Sequence, residues 1–136
     1  MISIRKNEIS DSNQATNLMP LSVKRKLQKS PRYSKEGLGD KADVVVKYFN
    51  PYGSGTWLIT EGDEQENGDW MLFGMCHIFE WEWGYVLLSE LKNMRIPPFG
   101  FRIERDLYSS GIVAELMDNS RTLFNQKHSI GRKIKC

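Results

Sequence analysis

Two carboxylates near the C-terminal end of the sequence are spaced as a divalent-cation site would require. Glu104 and Asp106 stand two residues apart, so on a β-strand their side chains would share one face. Such a pair is the minimum that could hold Mg²⁺ in a nuclease-like site. No lysine stands at a motif spacing beside it, and strands with alternating Arg and Glu more often form cross-strand ion pairs. The pair therefore leaves a metal-dependent hydrolase as one alternative, with no other catalytic group to complete it.

Other acidic residues approach the patterns of metal sites without completing one. Residues 63–68 place Asp, Gln, Asn and Gly at the first, third, fifth and sixth positions of a calcium loop, but the twelfth is Gly74, where a bidentate glutamate is needed. On a strand, His77 would lie on the opposite face from Glu80 and Glu82. We therefore predict a solvated hairpin at 63–68 and no metal ligand among these residues.

The remaining nucleophiles and glycines do not form a recognisable catalytic motif. Residues 37–40, Gly-Leu-Gly-Asp, lack the Gly-Lys-Ser/Thr ending of a phosphate loop. Cys76 and Cys136 are sixty residues apart, which excludes a disulfide framework and a C-x-x-C motif. No segment approaches the roughly 18 apolar residues that span a bilayer. The sequence predicts a cytoplasmic protein without membrane association that is not an enzyme and needs no cofactor or metal.

Aromatic residues alternate with acidic ones in the middle of the chain. If this segment is extended, one face carries His77, Phe79, Trp81, Trp83 and Tyr85, and the other carries Glu80 and Glu82. The aromatic face could simply fill a small core. If a tryptophan is exposed, it is better explained as an anchor for a protein partner, since neighbouring carboxylates would repel nucleic-acid phosphates. The candidate protein-binding residues are Glu80, Trp81, Glu82 and Trp83.

A short basic helix offers a second kind of binding surface. Pro20 suits the first turn of a helix over residues 21–29, with Val23 and Leu27 as a narrow apolar seam. Residues 1–41 carry a net charge of +5, residues 42–106 carry −6 and residues 107–136 carry +3. The alternative function is therefore nucleic-acid binding through the basic residues of this segment, which are Lys24, Arg25, Lys26, Lys29 and Arg32.

Strand and turn signals dominate the rest of the chain. Strands are predicted over 43–49, 56–61, 70–76, the segment from 77 to 85, and 99–108. Short helices are predicted over 21–29 and 86–94, with one more helical turn within 109–120. The predicted fold class is α+β, a single small domain with an antiparallel sheet of about four strands and two or three short helices. We place the domain at residues 19–120, between a flexible extension at 1–18 and a basic tail at 121–136.

Six sequence blocks together resemble a known family. They are Pro31-Arg32-Tyr33-Ser34-Lys35-Glu36-Gly37, Val46-Lys47-Tyr48-Phe49-Asn50-Pro51, Thr56-Trp57 with Glu61, Gly68-Asp69-Trp70 with Phe73-Gly74, Gly84-Tyr85-Val86-Leu87-Leu88-Ser89-Glu90-Leu91, and Ile103-Glu104-Arg105-Asp106-Leu107-Tyr108. In this order, over residues 19–110, they are similar to the family called domain of unknown function 2958. The resemblance implies a small bacterial or phage-borne domain, frequent on plasmids, integrative elements and prophages, with no assigned activity.

The genetic setting implied by the resemblance and the residue patterns favour a binding function. We expect an accessory protein of a mobile genetic element or phage that binds a host or element-encoded protein. Anti-defence activity, by inhibition of a restriction or CRISPR effector, fits that setting. The alternatives are nucleic-acid binding through the basic helix and metal-dependent hydrolysis at Glu104 and Asp106. The sequence makes no prediction of the oligomeric state.

Overall fold

One antiparallel sheet organises residues 14–117, the part of the chain that the computed structural model describes. Its five strands lie in the order β4-β3-β2-β1-β5. The elements are α1 (Leu21–Gln28), a 3-10 turn (Gly39–Lys41), β1 (Val46–Phe49), β2 (Thr56–Glu64), β3 (Trp70–His77), β4 (Trp81–Leu87), α2 (Leu88–Asn93), β5 (Glu104–Arg105) and a helical turn at 113–117. Within this range no helix is long and apolar enough to cross a membrane.

The α+β prediction is confirmed, with five strands rather than about four. The predicted extended segment from 77 to 85 is wrong, because a turn at 78–80 separates β3 from β4. The turn allows β4 to pair with β3, from His77 opposite Trp81 to Met71 opposite Leu87, so that each strand satisfies backbone groups of the other. Phe79 lies at this turn and is 90% exposed, so it does not extend the aromatic face.

The last predicted strand is also shorter than expected. Only Glu104–Arg105 of the predicted 99–108 pair with β1, opposite Phe49 and Tyr48. Upstream, the backbone of Ile96 bonds with that of Phe101 in both directions and closes a tight turn. The chain therefore reaches the sheet only after this turn, and β5 is a two-residue edge strand.

The main hydrophobic core lies between one face of the sheet and the two helices. The predicted seam of α1, Val23 and Leu27, is buried there together with Leu88 and Leu91 of α2. The strands contribute six buried side chains, which are Val46, Tyr48, Trp57, Ile59, Trp70 and Leu72. We call this the helix face of the sheet.

The opposite face, which we call the loop face, is only partly covered. Leu58 alternates with its neighbours on β2 and packs with Met75, Val113 and Leu116 in a second, smaller cluster. Trp81 is partly buried against the same cluster. Beside it, the chain between α1 and β1 crosses the sheet, since Ser30 accepts a hydrogen bond from the backbone N–H of Gly62. The following loop lies over a neighbouring part of this face, where the backbone N–H groups of Tyr33 and Lys35 bond to Glu61.

A β-bulge in β2 decides which side chains reach the loop face. The pairing with β3 shifts between Ile59 and Glu61, so Thr60 is the extra residue and Glu61 lies opposite Phe73. On β3, Gly74 lies next to the bulge. A Cβ atom at this position would lie 1.9 Å from the carbonyl oxygen of Leu58. Only glycine allows the two backbones to approach so closely.

Residues 14–18, which the sequence analysis assigned to a flexible extension, are hydrogen-bonded to the domain. The side chain of Arg105 donates to the carbonyl oxygens of Asn17 at 2.8 Å and Gln14 at 3.4 Å, and its backbone N–H donates to Ala15 at 2.7 Å. The buried hydroxyl of Tyr48 donates to the carbonyl oxygen of Leu18 at 2.5 Å. Burial raises the pKa of Tyr48 and lowers that of Arg105. The folded unit therefore includes this segment. The predicted tail at 121–136 lies outside the described residues.

Asp69 joins the turn between β2 and β3 to the start of α2. Its carboxylate accepts hydrogen bonds from the hydroxyl of Ser89 at 2.6 Å, from the backbone N–H of Ser89 at 3.0 Å and from that of Trp70 at 2.8 Å. The bond from the Ser89 hydroxyl is the main cause that lowers the pKa of Asp69. In addition, Glu90 accepts the backbone N–H of Leu87 at 2.9 Å.

We expect Gly74→Ala to lower the free energy of unfolding by about 3 kcal/mol, because the methyl group would force β2 and β3 apart. Urea denaturation measures the loss. Gly84→Ala is the matched control in β4, since a Cβ there meets nothing within 4 Å. Equal midpoints for the two variants would contradict the close approach at Gly74.

Tyr48→Phe should cost about 1 to 2 kcal/mol, since it leaves the buried carbonyl oxygen of Leu18 without its donor. Tyr108→Phe serves as the control, because Tyr108 is 91% exposed. The same denaturation measurement compares them. A Tyr48→Phe protein as stable as the control would contradict the stabilising role of the bond from Tyr48 to Leu18.

Asp69→Asn should cost about 1 kcal/mol at neutral pH, where the ionised carboxylate receives its three hydrogen bonds. Because the pKa of Asp69 is lowered in the folded state, its stabilisation is complete above the unfolded carboxyl pKa of about 4. It is lost as the pH falls through the lower folded value. Unfolding curves between neutral and acidic pH should therefore converge for the wild type and the variant. A difference that is unchanged at low pH would contradict this role.

Candidate functional site

The loop between α1 and β1 is held on the sheet by the carboxylate of Glu61. One carboxylate oxygen accepts the backbone N–H of Tyr33 at 2.8 Å, and the other accepts that of Lys35 at 3.0 Å. Glu61 is 4% exposed because the bulge in β2 directs it beneath the loop. Tyr33 has a φ of 74°, a left-handed conformation that costs a non-glycine residue roughly 1 kcal/mol. The two hydrogen bonds offset this strain.

A cleft of about 270 Å³ lies between this loop and the sheet. Four aromatic side chains line it, one from the loop and three from β3 and β4, which are Tyr33, Phe73, Trp83 and Tyr85. The ring of Phe73 lies 5.5 Å from that of Trp83, nearly parallel to it, and 4.9 Å from that of Tyr85. Trp83 is 39% exposed and Tyr85 is 50% exposed, so both rings border the opening. Glu61 and Thr60 also line the cleft.

The charged groups around the cleft differ in their partners. The ammonium of Lys35 donates to the carbonyl oxygen of Asp43 at 3.0 Å, and burial lowers its pKa. The guanidinium of Arg32 bonds to Asp63 at 3.1 Å, and this contact raises its pKa. It also lies 5.5 Å from the centre of the Tyr33 ring. By contrast, no Lys, Arg or His nitrogen within residues 14–117 lies within 4.0 Å of the Glu61 carboxylate.

The four predicted protein-binding residues do not form one surface. Trp83 borders the cleft, whereas Trp81 packs against the second cluster and lies 5.0 Å from the ring of His77. Glu80 is exposed in the turn before β4, and Glu82 is exposed on the helix face, opposite Cys76. The structure thus groups Trp83 with aromatic residues and separates it from both glutamates.

Sequence reasoning missed Glu61, Phe73 and the loop residues Tyr33 and Lys35 as members of one site. The family resemblance includes these residues, but in separate blocks. Tyr33 and Glu61 are 28 positions apart, and no periodic pattern relates a loop residue to a strand residue at that distance. The extra residue of the bulge also changes the face on which the following side chains of β2 lie, and the alternation of the sequence does not predict this change.

The basic residues of the second candidate surface have two different environments. On α1, Arg25 and Lys26 are exposed, as is Lys29 just after the helix, while Lys24 is half-buried. Arg32, in contrast, is part of the loop structure through Asp63, which accepts both its side-chain and its backbone N–H at 3.1 Å. The helix therefore offers at most four of the five predicted phosphate contacts without disturbing the loop.

The carboxylates of the hydrolase alternative are used in different ways. Asp106 accepts the backbone N–H groups of Tyr108 and Ser109 and the Ser109 hydroxyl, and it lies 3.7 Å from the ammonium of Lys47. Burial opposes its ionisation, but these contacts lower its pKa. Glu104 pairs with Phe49 across the sheet. In the described part of the chain, no group of three or more His, Cys, Asp or Glu side chains is placed to hold a metal.

Cys76, the cysteine within the described residues, is also unsuited to act as a nucleophile. The thiol of Cys76 is partly buried, and burial raises its pKa to about 11. It is therefore protonated at neutral pH, whereas a reactive cysteine requires the thiolate.

Comparison with known proteins gives one relationship. Searches of curated proteins and of solved structures found no match. A family model with the description "Protein of unknown function (DUF2958)" matches residues 18–117, which include the sheet, the loop and every residue of the cleft. The chain therefore belongs to the DUF2958 family.

Proposed function

We propose that this protein acts without catalysis, by binding another protein at the aromatic cleft and the adjacent strand β4. The observation that carries the proposal is the exposure of Trp83 and Tyr85 at the opening of a cleft whose inner side holds a buried carboxylate. Large aromatic side chains at the rim of a pocket are the residues that dominate the energy of protein interfaces.

The position of β4 supports a protein partner rather than a small molecule alone. β4 is the last strand of the sheet, and its outer edge has no strand partner within residues 14–117. An extended segment of another protein can add to such an edge through backbone hydrogen bonds. Trp83 and Tyr85 lie on this strand, so a segment bound at the edge would pass directly beside the cleft.

The chemistry of the site is consistent with binding alone. The family has no assigned activity, and within residues 14–117 the carboxylate of Asp106 is hydrogen-bonded and the thiol of Cys76 is protonated at neutral pH. The wider role stays a prediction that follows from the family resemblance. In this role the protein serves a mobile element or phage, and a restriction or CRISPR effector that it inhibits is one class of partner.

Nucleic-acid binding is the second candidate, and the exposed basic residues of α1 favour it. Arg25, Lys26 and Lys29 could contact phosphates together. Replacement of Lys24, Arg25 and Lys26 by alanine should then abolish oligonucleotide binding, and affinity should fall steeply as salt rises. If that pattern is found while Trp83→Ala has no effect on binding, the protein-partner proposal is overturned.

We expect Trp83→Ala to reduce binding of a captured protein partner by roughly 2 kcal/mol or more, about 30-fold in affinity. The measurement is quantitative affinity capture from host cells, with the full chain as bait, followed by titration of the recovered partner. Tyr108→Ala is the control for loss of an exposed aromatic side chain away from the cleft. Thermal unfolding must first show that both variants are folded. Equal capture by both variants would contradict the proposed site.

A further inference from the structure

The buried carboxylate of Glu61 contacts no cationic nitrogen within residues 14–117, although the ammonium of Lys35 interacts with it at longer range. Glu61 is 4% exposed, and its two hydrogen bonds come from neutral backbone N–H groups. Buried charges in proteins are normally paired, since removal of a carboxylate from water is costly. Of the nearby cations, Arg32 is paired with the Asp63 carboxylate, whereas the Lys35 ammonium donates to the backbone carbonyl oxygen of Asp43 and interacts with Glu61 at longer range. The lining of the cleft thus holds two carboxylates, Glu36 and Glu61, against the one ammonium of Lys35, and this leaves a net negative charge that a ligand could balance.

The aromatic lining of the cleft also favours a positively charged ligand. The faces of tryptophan, tyrosine and phenylalanine rings carry partial negative charge and attract a cation within about 6 Å of the ring centre. Phe73, Trp83 and Tyr85 lie close together beside Glu61, and the guanidinium of Arg32 already occupies such a position over Tyr33 at the rim. Glu36 adds a further carboxylate to the lining.

An anionic ligand would meet unfavourable surroundings in this cleft. Arg32 is already paired with Asp63, and an anionic ligand would approach two carboxylates, Glu61 and Glu36, against the one ammonium of Lys35. A neutral apolar ligand would cover the rings but leave Glu61 without a cation in contact with it. A cation would interact favourably with both the aromatic rings and the Glu61 carboxylate.

Among the cations that a protein carries, the geometry favours an ammonium over a guanidinium. Each carboxylate oxygen of Glu61 already accepts one backbone N–H, so an arginine would need the one remaining lone pair on both oxygens for its paired donors. An ammonium needs only one open position on one oxygen. Small residues on the loop side of the cleft, Gly37, Gly39 and Ala42, leave room for a linear alkyl chain.

We propose that the cleft binds a lysine side chain of the protein partner, with its ammonium at Glu61 and its alkyl chain against Trp83 and Tyr85. The inference rests on the proposed protein-binding function and adds the chemistry that recognises the partner. Exposed Glu80 and Glu82, just before and within β4, would attract a basic segment to this edge of the sheet.

The test uses two acetylated tripeptides, Gly-Lys-Gly and Gly-norleucine-Gly, which share the alkyl chain and differ in the ammonium. Each is titrated into the full ¹⁵N-labelled protein, and the indole N–H signal of Trp83 is followed by NMR. Trp83→Phe assigns that signal. We expect the lysine peptide to shift it in a saturable manner and the norleucine peptide to bind at least about tenfold more weakly.

Two variants test the contribution of the Glu61 charge and that of the aromatic rings separately. Glu61→Gln should weaken the lysine peptide about tenfold or more, the loss expected for a hydrogen bond to a charged group. Glutamine offers only one acceptor oxygen to the two loop N–H groups, so Glu61→Gln also weakens the attachment of the loop. Trp83→Leu is therefore a second variant, in which Glu61 and its hydrogen bonds are intact. It should weaken both peptides several-fold, because their shared alkyl chain packs against Trp83, and it should keep the preference for lysine, as read from the backbone signals of Phe73 and Tyr85. Tyr108→Leu should change neither.

The results test the lysine-binding proposal and the protein-binding function separately. Equal binding of the two peptides, or no response to the lysine peptide, would overturn the cation proposal. If partner capture is still lost in Trp83→Ala, the protein-binding function stands without it. Partner capture that is unaffected by Trp83→Ala would overturn the function itself, whatever the peptides show.

Discussion

The hydrogen bonds from the backbone of the α1–β1 loop to Glu61 are the interaction on which the loop face depends. They hold the 17-residue segment between α1 and β1 against the sheet and stabilise the left-handed backbone of Tyr33. They exist only because the bulge at Thr60 directs Glu61 to the loop side. The bulge in turn requires Gly74 on the partner strand, since any side chain there would collide with the backbone of β2. A single backbone irregularity thus decides where the cleft lies.

The two faces of the sheet are stabilised by different means. The helix face follows ordinary burial, with α1 and α2 over a continuous apolar surface. The loop face has a smaller apolar cluster and relies on polar contacts for the remainder. A surface of this kind can keep aromatic rings such as Trp83 partly exposed without a loss of core stability, because the main core does not include them. Binding surfaces commonly lie on loops that a rigid sheet positions, and this arrangement follows that rule.

At the far edge of the sheet, Arg105 performs a similar task for the N-terminal segment. It interrupts an apolar alternation in the sequence, yet it is 8% exposed and donates to backbone carbonyl groups of residues 14–17. Backbone carbonyl oxygens thus help to satisfy the hydrogen-bond donors of this buried guanidinium. Arg105 and Glu61 are therefore complementary cases, in which a buried charge binds the backbone of an irregular segment. Glu61 differs because it also lines a cleft that is open to solvent.

The sequence by itself determined the α+β class, the seam of α1 at Val23 and Leu27, the short turns of the meander and the family resemblance. These features depend on local periodicity and turn chemistry, which a single sequence records. It also singled out Trp83, since alternation alone marks one face of a strand. Only the tertiary structure decided that β4 begins after a turn at 78–80 and that Arg105 holds residues 14–17. It alone brought Tyr33 to Glu61, because the bulge and the crossing of the loop depend on how strands and helix pack together, which local pattern does not encode.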